Sequence, residues 1–107
     1  MAQNLSWTSI ALQDLEAIWN RICELGDERE AGLQLEFIHR NIETLPQFPR
    51  RFPVFPQYGQ DHIREFKFGT YHVVYRVEPG DAVLVLSIFH TQRDFLLELK
   101  RRKNRYL

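Results

Sequence analysis

The chain has 107 residues, 44% of them hydrophobic and 13% aromatic, with 14 basic side chains against 14 acidic ones. That length bounds it to one domain, residues 1–107, large enough to bury a core, and the composition excludes a disordered chain. One cysteine, Cys23, excludes an internal disulfide, and no apolar run is long enough to span a bilayer.

The chain opens on Met1-Ala-Gln-Asn-Leu-Ser-Trp7, which has neither the basic region nor the apolar run of a leader, so a cytoplasmic protein is expected. Asn4 to Thr8 alternates Leu5 and Trp7 with polar neighbours and reads as a first strand. Ser9 is placed to cap a helix, offering its hydroxyl to the free N–H groups of the first turn. Leu15, Ile18, Trp19, Ile22 and Leu25 then recur at helical spacing, and Gly26 ends that helix. Cys23 on this helix reads as a half-buried thiol. Asp27 and Glu30 have capping-box spacing for a second helix. Its apolar seam, Ala31, Leu35, Ile38, Ile42 and Leu45, suits antiparallel packing on the first.

Leu45-Pro46 stops the second helix, because the residue before proline disfavours helical geometry. Four of the five prolines lie between residues 46 and 56, so this segment must be extended or turning. Its phenylalanines, Phe48, Phe52 and Phe55, either close the core or present an apolar surface to a partner. Tyr58-Gly59-Gln60-Asp61 turns the chain into a three-stranded antiparallel meander that ends at His90-Thr-Gln-Arg93. In its middle strand Tyr71, Val73, Tyr75 and Val77 share one face, and His72, Val74 and Arg76 the other. In the last strand simple alternation sets Val83, Val85, Ser87 and Phe89 against Leu84, Leu86, Ile88 and His90. Residues from about 92 to 102 read as a short C-terminal helix, followed by a basic tail within residues 98–107.

Charge is unevenly spread. Residues 1–60 hold five basic and eight acidic side chains, and residues 61–107 hold nine and six, giving about −3 and +3. The basic excess lies mostly in Lys100-Arg-Arg-Lys-Asn-Arg105, a segment suited to solvent or to an acidic partner. One cysteine and four dispersed histidines do not make a zinc site, and no phosphate-cradling glycine loop is present, so no metal or cofactor is expected.

The order of strand, helical hairpin, proline-interrupted loop and meander resembles the ParE/RelE superfamily of type II toxin–antitoxin systems. The residues that carry the resemblance are Trp7, Asp14-Leu15 with Ile18 and Ile22, Leu45 with Pro49-Arg50, Ile63-Arg-Glu-Phe66, Tyr71-His-Val-Val-Tyr-Arg-Val77, and Leu86-Ser-Ile-Phe-His-Thr-Gln-Arg-Asp94. The resemblance covers residues 5 to 94. The resemblance implies an α+β fold in which an N-terminal strand and an antiparallel helical hairpin pack on a small antiparallel sheet, with a short C-terminal helix.

It also implies one of two activities. RelE-like members cut mRNA in the ribosomal A site; ParE-like members poison DNA gyrase by protein contact. Metal-free RNA cleavage needs a base for the 2′-hydroxyl, cations for the phosphorane and an acid for the leaving oxygen. On this chain the candidates are His90, Arg64, Arg76 and Arg93, with Tyr71, Tyr75, His62 and Lys67 as further groups. The RelE pattern is incomplete: its strand arginine falls at His72, a catalytic arginine at Thr91, and its late tyrosine near Leu97. The ending His90-x-x-Arg93-Asp94 looks like that of ParE members. The expected partners are therefore a cognate antitoxin and DNA gyrase, the alternative being the ribosome and mRNA. Phe48, Phe52, Phe55, Lys100, Arg101 and Arg102 are the candidate contacts. Without such roles His72 and His39 read as exposed, His62 as a loop contact, and Trp7, Trp19, Tyr71 and Tyr75 as core.

Overall fold

A computed structural model describes residues 4–26, 28–90 and 100–102. The elements run β1 (Leu5–Trp7), α1 (Ser9–Leu25), α2 (Glu28–Glu43), β2 (Ile63–Phe68), β3 (Tyr71–Val77) and β4 (Val83–His90), with residues 100–102 again helical. The sheet order is β1-β4-β3-β2. The meander β2-β3-β4 is antiparallel as expected, but β1 joins β4 in parallel, Leu5 opposite Val83 and Trp7 opposite Val85, so the sheet is mixed.

The cap of α1 is Thr8, not Ser9: the Thr8 hydroxyl accepts the Ala11 N–H at 3.0 Å and donates to the Leu86 carbonyl at 2.7 Å. One side chain thus starts the helix and ties it to the sheet. Gly26 closes α1, its N–H returning to Ile22. Asp27 of the expected capping box lies outside the described residues.

The two helices cover one face of the sheet. Ala11 and Ile18 of α1, with Ile38 and Ile42 of α2 and Leu45 beyond it, meet Phe66, Tyr71, Val73, Tyr75, Val77, Val83, Val85 and Ile88 in the main core. Burying one such isoleucine contributes about 1.5–3 kcal/mol. Two expected core residues stay at the surface: Trp19 is exposed beside Gly32, and Leu25 is 75% exposed in the last turn of α1. Trp7 packs partly against the core, its ring 5.3 Å from that of His39.

The sheet's outer face has a smaller core of Phe55, Tyr58, Ile63, Val74, Leu86 and Phe89. Here simple alternation fails. The β3–β4 register shifts so that Val74 faces Ser87 while Tyr75 faces Val85. This β-bulge inserts one residue and reverses the facing of everything after it. Ile88 therefore joins Val83 and Val85 under the helices, and Phe89 joins Leu84 and Leu86 outside. Turns close the meander where Gly69 has φ 55° and where Gly80 and Asp81 have φ 79° and 64°.

Candidate functional site

Three of the four candidate catalytic residues are described, and each already has a partner. Arg64 of β2 lies on the helix-facing side, opposite Tyr75. Its guanidinium donates to the carbonyls of Phe52 (3.0 Å), Arg50 (3.2 Å) and Asp61 (3.2 Å), with the Asp61 carboxylate 3.6 Å away. It clamps the proline segment to the sheet. Tyr75 completes the clamp from beneath, donating its buried hydroxyl to the Pro49 carbonyl at 2.7 Å. Burial pushes the Tyr75 phenol up to about 12, against the opposing pull of the Arg64 and Arg51 charges. A phenol so shifted is a poor proton donor at neutral pH.

Arg76 lies on the outer face, opposite Ile63, and pairs with Glu78 at 3.0 Å. It lines an open depression of about 520 Å³ with Arg50, His62, Glu78, Pro79 and Asp81, in which Arg50 pairs with Asp81 at 2.9 Å. His90 ends β4 opposite Tyr71, ring centroids 5.1 Å apart and edge-on. The positions of Arg64 and His90 are separated along β3 by the four-residue step from Tyr75 to Tyr71, roughly 13 Å of strand. Arg64 and Arg76 point to opposite faces. These three do not converge on one patch; Arg93 lies outside the described residues.

The outer face holds an arrangement that the sequence reading missed. His72, expected to be exposed, is largely covered, its Nδ1 2.7 Å from Oε2 of the buried Glu65. Lys67 Nζ stands 3.8 Å from the other carboxylate oxygen. The strands impose this cluster: Lys67 is the direct cross-strand partner of His72, and Glu65 is two residues earlier on the same face. The signal was available, since Glu65 alternates with Ile63, a core residue. Asp14 is a second buried acid. It sits between Ala11 and Ile18 on the core face of α1 and accepts the Ile88 N–H at 2.8 Å. Its Oδ2 also takes a guanidinium nitrogen of Arg102.

The candidate contacts divide. Phe48 is 66% exposed. Phe52 is half-buried against Phe66 (centroids 5.0 Å), beneath the Arg51 guanidinium. Phe55 is fully buried, edge-on to Tyr58, and so fills the outer core instead of offering a contact. Lys100 and Arg101 are exposed, whereas Arg102 is drawn inward between Asp14 and the Phe89 ring, 4.7 Å from its centroid. Among the described residues no group of three His, Cys, Asp or Glu side chains is placed to hold a metal ion, and no helix is long and apolar enough to cross a membrane.

A helical hairpin on a β1-β4-β3-β2 sheet defines an α+β fold of the ParE/RelE type, and solved structures share it. The chromosomal ParDE system of P. aeruginosa matches at 22% identity and TM-score 0.68, over 82% of this chain and 95% of that one. A free-state arginine-to-alanine double mutant of E. coli toxin RelE matches at 18% and 0.63, over 96% of each chain. The toxin–antitoxin complex RelBE2 of Mycobacterium tuberculosis matches at 21% and 0.53, over 80% and 94%. At these identities the likeness is one of fold. Comparison with curated proteins gave no match. The sequence itself is more specific. Residues 5–95 match the family described as the ParE toxin of the type II toxin–antitoxin system parDE, and the chain belongs to that family: it is a toxin of a type II toxin–antitoxin system.

Proposed function

We propose that this toxin acts in the cytoplasm by inhibiting DNA gyrase through surface contact, and that a cognate antitoxin neutralises it. The supporting observation is the dispersal of the candidate catalytic cations among the described residues. Stabilising a pentavalent phosphate requires fixed positive charges aimed at one point. Arg64 is spent on three backbone carbonyls, Arg76 on Glu78, and the two face opposite sides of the sheet. A protein that works by contact has no such requirement. Exposed Phe48, Lys100 and Arg101 are the elements left to meet a target. The antitoxin would cover apolar surface as it folds onto the toxin.

The test is a paired assay on the purified toxin. Loss of gyrase supercoiling with message left intact on translating ribosomes is the expected result. Transcript cleavage without gyrase inhibition would overturn it. The Glu65–His72 pair favours the second reading, a ribosome-dependent mRNA endonuclease, because a carboxylate-held imidazole is a competent general base. Cleavage lost in His72→Ala would establish that reading with a different set of residues from the one the sequence suggested.

A further inference from the structure

We infer that the turn at residues 48–51 is a contact for DNA at an unpaired position, with the Phe48 ring stacked on a base and Arg50 and Arg51 on the flanking phosphates. The choice of DNA rests on the gyrase reading above. Residues 1–43 hold three basic and eight acidic side chains, whereas residues 44–60 hold two basic and none acidic. Within that acid-free stretch the Arg51 N–H donates to the Phe48 carbonyl at 3.2 Å, closing a four-residue turn with Pro49 at its second position, where the fixed φ of proline is favoured. The sheet holds this turn from beneath. Tyr75 donates to the Pro49 carbonyl at 2.7 Å, and Arg64 to the carbonyls of Arg50 at 3.2 Å and Phe52 at 3.0 Å. Pro49 is buried, while Phe48, Arg50 and Arg51 are exposed. A backbone pinned at three carbonyls therefore presents one aromatic ring and two guanidiniums to solvent.

The chemistry of these groups defines what fits. Phe48 is flanked in the chain by the exposed Gln47 and the buried Pro49, so it offers a single ring instead of a continuous apolar run. A lone ring beside cations suits stacking on a base, which every base permits through its π-face. The Arg51 guanidinium lies over the Phe52 ring, 5.1 Å from its centroid, and donates to the Thr44 hydroxyl; its partners among the described residues are neutral. Arg50 pairs with Asp81, but both side chains are more than half exposed, and a phosphate oxygen can take the place of that carboxylate. Arg50 also borders the depression of about 520 Å³ that Arg76 and His62 line together with Glu78 and Asp81, which continues the cationic path past the turn. Holding the turn in advance lowers the ordering cost of binding. A protein ring can stack only on a base that has left its own stack, so the ligand is a single strand or an opened duplex. RNA offers the same base and phosphates; DNA is favoured because the proposed target works on DNA.

The experiment uses the full-length toxin and three labelled probes: a short thymidine strand of DNA, the matching uridine strand of RNA, and an intact DNA duplex. Affinity is measured for wild type, Phe48→Ala, Arg51→Glu and, as a control with the same charge change in the first turn of α2, Arg29→Glu. Gyrase supercoiling is assayed with the same proteins. Phe48→Ala and Arg51→Glu are each expected to weaken binding of the DNA strand by about tenfold or more, with the control within about twofold. On the intact duplex, whose bases stay stacked, Phe48→Ala is expected to bind within about twofold of wild type. No binding of the DNA strand by wild type, or equal binding by Phe48→Ala and Arg51→Glu, overturns the site; supercoiling inhibited by that same wild type leaves the gyrase reading standing. An RNA strand bound about tenfold more tightly than the DNA strand overturns the assignment to DNA. DNA binding through the turn with supercoiling untouched keeps the site and overturns the gyrase reading. Should Arg51→Glu not fold, Phe48→Ala, at a side chain that is 66% exposed, still decides.

Discussion

The two faces of the sheet solve different problems with the same strands. Under the helices, Tyr71, Val73, Tyr75 and Val77 meet an almost wholly apolar layer, and the polar groups admitted there, Arg64, Asp14 and the Tyr75 hydroxyl, each hold a backbone carbonyl or amide, Asp14 pairing with Arg102 as well. On the outer face a six-residue core shares the surface with Glu65, His72, Lys67 and Arg76, which hold one another or Glu78. The difference teaches that charge alone does not mark a site in this fold. A buried ion committed to the backbone is architecture. An ion pair between side chains on a partly covered face is available for chemistry or recognition.

The sharpest break of that comparison is Asp14→Ala. It removes the acceptor of the Ile88 amide and a carboxylate partner of Arg102 together, leaving a buried donor without its acceptor and a half-buried cation without that carboxylate. Urea unfolding should show a loss of about 3–5 kcal/mol. If the loss is below about 1 kcal/mol, Asp14 is no keystone. Arg64→Ala comes next. Releasing three carbonyls from the proline segment should cost about 2 kcal/mol, and any nuclease activity should survive in the molecules that remain folded. On the outer face, His72→Ala removes the imidazole from the buried Glu65 carboxylate, leaving Lys67 as its cation among the described residues, at about 1–3 kcal/mol.

How far the fold could be read beforehand follows from the same division. The seam Ala31, Leu35, Ile38, Ile42 declares α2 because every member faces one layer, so period and burial agree. The order of elements was legible for that reason. The β4 facing was not, because a bulge at Leu86–Ser87 leaves no mark in a run that is apolar on both sides. Trp19 misled because its spacing obeys the helical period while Gly32 leaves room for the ring at the rim. At the candidate site, residue type was legible but commitment was not. Nothing in Arg64 or Arg102 as letters says that distant partners, Phe52 and Asp14, already hold them.

Tyr75 tests the helix-facing side by pH. Its phenol, raised to about 12 by burial, must stay protonated in the folded state. The stabilisation linked to that shift is fully present below the ordinary tyrosine value of about 10 and is lost as pH rises from there through 12. Tyr75→Phe should remove this part of the alkaline transition, at about 1 kcal/mol of neutral-pH stability for the missing bond to Pro49. An alkaline profile identical in the two proteins would show that the hydroxyl titrates as if exposed.

The smallest expected effect on folding separates the two uses of the basic segment. Lys100 and Arg101 are exposed, whereas Arg102 is folded against Asp14 and Phe89. Replacing Lys100 and Arg101 together by alanine should leave stability within about 0.5 kcal/mol, because solvated surface cations contribute little. Under the gyrase reading the same double variant should inhibit supercoiling less at a given concentration, and wild-type inhibition should weaken with added salt, since an exposed cationic contact is screened over about 10 Å at 0.1 M. Arg102→Ala should do the reverse, lowering stability first and inhibition only in proportion to the folded fraction. If all three arginine and lysine positions behave alike in both assays, the segment acts as one unit, and the contrast between a structural and a contacting cation fails at the place where the sequence gives it the least warning.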